Sequence, residues 1–112
     1  MINAELMSDQ NGRLCGFHIS GHAMMAESGK DVICAFVSSA AYMAANTITD
    51  VIGAKAEARA SDGDMYVMIS QKDTEKCADI LAGFKLHLLN TQEQYPEYLK
   101  VNFTEVQKNA EN

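Results

Sequence analysis

Apolar and polar positions alternate at both ends of the chain and switch twice to a helical period in between. Ile2, Ala4 and Leu6 alternate with Asn3 and Glu5, the pattern of a half-buried strand. Ser8 to Gly12 is a turn cluster in which Asn11-Gly12 favours a tight hairpin. Cys15, Phe17 and Ile19 then alternate with Gly16, His18 and Ser20, a second strand that runs into Gly21-His22. From Val32 to Ile52, Val37, Ala41, Ala44, Ile48 and Val51 mark one helical face, with Asp31 as N-cap and Gly53 as the stop. Ala35, Phe36, Ala40, Tyr42 and Met43 make the opposite side apolar too, which predicts a largely buried helix. Ala54 to Ala60 alternates small residues with Lys55, Glu57 and Arg59, a strand with one wet face. Ser61-Asp62-Gly63-Asp64 reads as a turn and Met65 to Ser70 as a strand. Asp73 reads as the cap of a second helix with Cys77, Leu81, Phe84 and Leu88 as its stripe. Pro96 bars its continuation, and Leu99, Val101 and Phe103 form a last strand. The order ββαββαβ predicts an α+β domain: a mainly antiparallel sheet with two helices, the first largely buried.

Composition narrows the function classes. At 112 residues, without repeats or linker-like stretches, residues 1–112 are expected to form a single domain. A net charge of −6 argues against direct nucleic-acid binding, which needs clustered Lys and Arg. Met1 to Glu5 lacks the basic and apolar regions of a signal peptide, and no apolar run approaches the ~20 residues of a membrane span. The three cysteines, Cys15, Cys34 and Cys77, are irregularly spaced and are expected as thiols in a reducing cytoplasm, with no membrane partner. Cys15 and Cys77 read as small buried hydrophobes.

The chemistry is concentrated in two short stretches, Ser20-Gly21-His22-Ala23 and Asp31-Val32-Ile33-Cys34. They put a histidine at the end of a strand and a cysteine at the third position of a helix. Unpaired N–H groups and the positive end of the macrodipole favour thiolate there. A nearby histidine can act as base toward the thiol and acid toward the leaving group, while the remaining N–H groups can receive an oxyanion. Zinc is the competing chemistry, with His18, His22, Asp31 and Cys34 as possible ligands. On one strand, however, the two histidines stand ~13 Å apart at ~3.3 Å per residue, too far for a shared metal with ~2 Å bonds. No metal or cofactor is expected. His18 reads as a locally satisfied strand residue and His87 as a residue on the wet side of a helix.

Gly21-His22-Ala23, Gly29-Lys30-Asp31, Cys34-Ala35 and Val37-Ser38 resemble the ribosomal-processing cysteine protease family of Firmicutes and related bacteria, formerly a domain of unknown function. The resemblance covers nearly the whole chain. It implies a cytoplasmic homodimer that cuts a short apolar, Phe-containing N-terminal extension from a protein of the large ribosomal subunit. It also implies Cys34 as nucleophile and His22 as general base, with Gly21, Asp31 and Ser38 as supporting positions. The chain departs from the family pattern in having Met24-Met25 where a Gly and an aromatic residue are usual, and Ser28 where Tyr is common. Val32-Ile33 reverses the usual order, and Phe36 replaces an Ala. Met24, Met25 and Ser28 fall in a segment that reads as a flap over an extended substrate, or equally as a solvent loop with its methionines tucked inward. The alternative function is a non-enzymatic ribosome-associated factor that holds a peptide in the same groove. A thiol redox protein would need a resolving cysteine, for which Cys15 is the nearby candidate, and a small thiol amidase would use the same Cys34–His22 pair.

Overall fold

The computed structural model describes residues 1–21 and 30–106, and only the backbone of Lys30 and Asp31. Its strands are β1 (Ile2–Ser8), β2 (Leu14–Ser20), β3 (Ala56–Ser61), β4 (Asp64–Ile69) and β5 (Leu99–Glu105), and its helices are α1 (Lys30–Asn46) and α2 (Ala78–Gln94). The strands form one sheet in the order β3-β4-β2-β1-β5, antiparallel except for the parallel β1–β5 pair. The expected α+β class with a mainly antiparallel sheet and two helices is therefore the observed one.

The core lies on one face of this sheet. Ile2, Ala4 and Leu6 of β1, Phe17 and Ile19 of β2, and Met65, Val67 and Ile69 of β4 meet Ile33, Val37, Ala41, Ala44 and Ile48 from the first helix. Leu81, Phe84 and Leu88 of α2 join the same cluster. Phe17 and Phe84 tilt against each other with centroids 4.7 Å apart, and truncating either to Ala removes about 3–5 kcal/mol. Cys77 is buried in this core, and Cys15 is buried with Met7 and Met68 in a smaller cluster. Gly16 has no room for a side chain, because a Cβ there would run into the carbonyl oxygen of Val67 on the neighbouring strand.

Several expectations are corrected. The first helix is not largely buried: Val32, Phe36, Tyr42, Met43 and Val51 are exposed. Among the described residues only α1 and α2 pack as full helices on the sheet, and no further described layer covers the outer side of α1. Val32–Val51 is 20 residues long and apolar enough, by length and composition, to cross a membrane, contrary to the reading that no such run exists. Its inner stripe packs into the protein core. The run ends in a widened turn at Thr47–Val51, where Ile52 N–H reaches back to Thr47 O at 2.8 Å. Strand β3 is exposed on both faces from Glu57 to Ser61, because as an edge strand it projects beyond the helices.

Neither expected acidic helix cap holds. Asp31 is already inside α1. Asp73 sits on a short 3-10 turn ahead of α2, whose N-cap is Cys77. The Asp73 carboxylate instead accepts Lys55 N–H at 2.8 Å, pinning the segment that leads into β3. A third acidic residue, Asp9, organises the β1–β2 turn by accepting the N–H groups of Asn11 and Arg13.

The Lys55 N–H bond, aided by Lys76, holds the Asp73 carboxyl below its ordinary 3.8. A lowered folded-state value means that the stabilisation is complete above the ordinary value and is lost as pH falls through the folded one. Asp73→Asn is therefore expected to lower the denaturation midpoint at neutral pH. Urea titrations of both proteins should show that gap closing as the pH drops below 3.8.

Candidate active site

The end of β2 is fixed by backbone geometry. Gly21 adopts φ +83°, which favours glycine, and a Cβ there would lie 2.5 Å from the carbonyl oxygen of Met1. Its N–H donates to Gly63 O in the β3–β4 turn at 3.0 Å. The chain thus leaves the sheet toward His22 from a point held by the start of β1 and by the β3–β4 hairpin.

Cys34 lies on α1, half-buried, with part of its surface against the core. It lines an open groove of 410 Å³. Ser38, Tyr42 and Ala41 extend the helix wall, and Gly21 and the Ser61–Asp64 turn form the opposite wall. Of the expected site residues, the structure brings Cys34, Ser38 and Gly21 to one groove. Asp31 enters as a backbone position near the start of α1, and His22, Met24, Met25 and Ser28 lie outside the described residues.

The position of Cys34 differs from expectation in one chemically relevant way. Because α1 already includes Lys30, Cys34 is at least the fifth helical residue rather than the third. Its own amide is then not among the first four, which lack helical acceptors, so oxyanion donors drawn from the helix start belong to residues up to Ile33. The zinc reading also loses a pair. His18 faces the outer side of the sheet, in register with Glu5 and Tyr66, whereas Cys34 is on the helix side. As expected, His18 is satisfied locally, with Nε2–H donating to Asp64 Oδ1 at 2.8 Å, and His87 is exposed.

Two parts of the groove are absent from the sequence-derived list. Tyr42 follows Cys34 and Ser38 at four-residue steps, so helical spacing alone would have put it on the same wall. The Ser61–Asp64 turn had no such local signal. It reaches the groove because β4 pairs with β2, a strand distant in sequence. Its Asp62 and Asp64 are the charged residues among those lining the groove, and Asp62 is exposed with no ion pair to another described residue.

Comparison with known proteins came to the same chemistry. The profile of the cysteine protease Prp family matches residues 1–100. The ribosomal processing cysteine protease Prp of Staphylococcus aureus strain NCTC 8325 is 24% identical over 105 residues, covering 92% of this chain and 99% of the relative. A crystal structure of S. aureus Prp in complex with a substrate peptide superimposes with a TM-score of 0.83 at 21% identity, over 92% of this chain and 99% of that one. A second S. aureus Prp structure, with a covalently linked product peptide, gives a TM-score of 0.80 at 22% identity over the same shares.

The thiols are expected to separate by reactivity. Burial, with Asp9 adding to it, pushes Cys15 up to about 11, and burial raises Cys77 as well. Brief iodoacetamide treatment of the native protein at pH 8, followed by peptide mass spectrometry, is expected to modify Cys34 and to spare Cys15 and Cys77. Equal labelling of all three would contradict this arrangement.

Proposed function

The chain belongs to the cysteine protease Prp family and is a cysteine protease, and from that premise we propose that it removes a short apolar N-terminal extension from a protein of the large ribosomal subunit. The observation that carries the reading is the groove, with Cys34 on its helix wall and the residue before His22 on the other. A groove open to solvent suits an extended peptide, and family membership favours the peptidase over the peptide-holding alternative. The substrate class is supported by the S. aureus relative, named a ribosomal processing protease.

In this mechanism His22 takes the proton of the Cys34 thiol, and the thiolate attacks the scissile carbonyl. His22 then protonates the departing amine, leaving an acyl-enzyme that water hydrolyses with His22 as base. The covalently linked product peptide in a relative's structure is consistent with such a thioester route. Gly21 supports His22 through the backbone, and Ser38 lies along the groove beside Cys34. Met24, Met25 and Ser28 are assigned to the flap over the apolar part of the substrate. The protein works in the cytoplasm, where nascent ribosomal proteins are met.

Dimerisation is the second part of the proposal. Phe36, Met43, Ala35, Ala40, Ser39 and His87 line an apolar depression of 540 Å³ on the outer side of α1. With Phe36 and Met43 about half exposed, this face is suited to a second copy of the chain. Phe36→Glu is expected to shift the mass measured by light scattering from dimer to monomer. An unchanged mass would remove this face from the interface.

Cleavage of a peptide spanning Phe-Phe-Ala, read by mass spectrometry, tests the activity. The wild type is expected to make one cut after the Phe, Cys34→Ala none, and His22→Ala to lose about 100-fold or more. A peptide bound but left intact by the wild type would refute the substrate assignment.

Charge makes a separate prediction. The protein carries −6, and the groove wall presents Asp62, whereas ribosomal proteins are basic. The value of kcat/KM on the intact ribosomal substrate is expected to fall as salt rises from 50 to 500 mM, roughly the range over which surface charge is screened. A flat salt profile would exclude steering.

A further inference from the structure

On the outer face of the sheet, away from both helices, a side-chain relay ends at the wall of the groove. Glu5 pairs with His18 across β1–β2, and His18 lies diagonal to Asp64 across β2–β4, so all three project on this face. Thr104 Oγ–H donates to Glu5 Oε2 at 2.6 Å. His18 Nδ1 stands 3.9 Å from Glu5 Oε1, and His18 Nε2–H donates to Asp64 Oδ1 at 2.8 Å. Tyr66 packs edge-on against the imidazole with centroids 5.9 Å apart. His18 is thus confined by one carboxylate on each side and by a ring, a fixed post on the central strand of the sheet.

The far end of this relay is the groove. Asp64 follows Gly63, whose carbonyl holds Gly21 N–H, and both Gly63 and Asp64 line the groove. Beyond the Ser20–Asp64 pairing, the hairpin end is therefore tied to β2 twice: by the Gly21–Gly63 backbone bond and by the His18–Asp64 side-chain bond. The other half of the hairpin, β3, is an exposed edge strand and offers little further restraint.

We propose that His18 is a positioning residue for the peptidase: through Asp64 it fixes the Asp62–Gly63 turn and, through Gly21, the groove wall that faces Cys34 and from which the chain runs on in sequence to His22. This rests on the reading of Cys34 and His22 as the reacting pair. The imidazole lies on the outer face of the sheet, away from the helix that carries Cys34. It acts by keeping the hairpin wall at one distance from the helix wall, so the chemical step depends on it and apolar binding does not.

The test measures peptide cleavage and the alkylation rate of Cys34 in the wild type, His18→Ala, His18→Gln, His22→Ala and the His18→Ala/His22→Ala double variant. His18→Ala is expected to lower kcat about tenfold with KM within about twofold, and to slow alkylation of Cys34. His18→Gln, whose amide still donates to Asp64, is expected to recover most of both rates. On the His22→Ala background the His18 substitution is expected to add no further loss, because its effect passes through His22. Unchanged rates in His18→Ala, or a full additional loss on the His22→Ala background, would overturn the proposal. So would a His22→Ala protein that alkylates at the wild-type rate. If His18→Ala does not fold, Asp64→Ala removes the acceptor while leaving the imidazole in place, and is judged by the same outcomes. If the wild type cleaves no peptide, the substrate reading fails on its own, and the alkylation rates still decide whether His18 acts on the pair.

Discussion

The way β2 ends is the constraint on which the site depends. At Gly21 the chain turns through a left-handed conformation, gives its N–H to the β3–β4 turn, and passes so close to Met1 O that a Cβ has no place. Three segments distant in sequence, the start of β1, the end of β2 and the β3–β4 turn, are thereby locked at one corner of the sheet. Any side chain at Gly21 would push them apart, and the wall facing Cys34 would move with them. That corner exists only because β2 is flanked by β1 on one side and β4 on the other. A simple β1–β2 hairpin would leave Gly21 without the β3–β4 turn beside it that completes the wall facing Cys34.

The same economy of layers explains the first helix. Two helices cover one face of five strands, so each must bury its inner stripe and leave the other side outward. In α2 most of the outer residues are polar. In α1 they include Val32, Phe36, Tyr42 and Met43, and the cost of leaving such apolar area in water is about 25 cal/mol per Å². Tyr42 lines the groove, where a peptide would cover it. Phe36 and Met43 lie in the other depression, on the side of α1 toward His87. The two outer flanks of one helix therefore present two different surfaces, one beside the thiol and one away from it.

Local pattern made most of the fold legible and the site only in part. The alternation in Ile2–Leu6 and Cys15–Ser20 and the stripe Leu81, Phe84, Leu88 each report burial directly, and each element formed where its period put it. The first helix misled because an all-round apolar pattern says nothing about how many layers are available to cover it. Asp73 misled because an acidic residue ahead of a helix has more than one donor to choose from. Lys55 N–H, distant in sequence, outcompeted the helix start. Cys34, Ser38 and Gly21 were legible from a short motif and meet in one groove. The Ser61–Asp64 wall was not, since it becomes part of the site through the β2–β4 pairing, which is a property of topology and leaves no trace in either strand.

The position of Cys34 within α1 shifts the chemical burden onto the opposite wall. A helix N-terminus favours anions mainly through its first turn, where amides lack acceptors, and the field weakens beyond it. At the fifth residue or later, Cys34 has passed that turn. In the proposed dyad, removing the thiol proton then falls chiefly to the partner base, whose usefulness depends on distance and angle far more steeply than a dipole's does. A site built on a helix dipole tolerates slack in its other wall; a site built on a histidine does not. The wall gathered around Gly21, held by the close approach to Met1 O that glycine permits, by the Gly63 carbonyl and by the strand register, is what the proposed dyad requires.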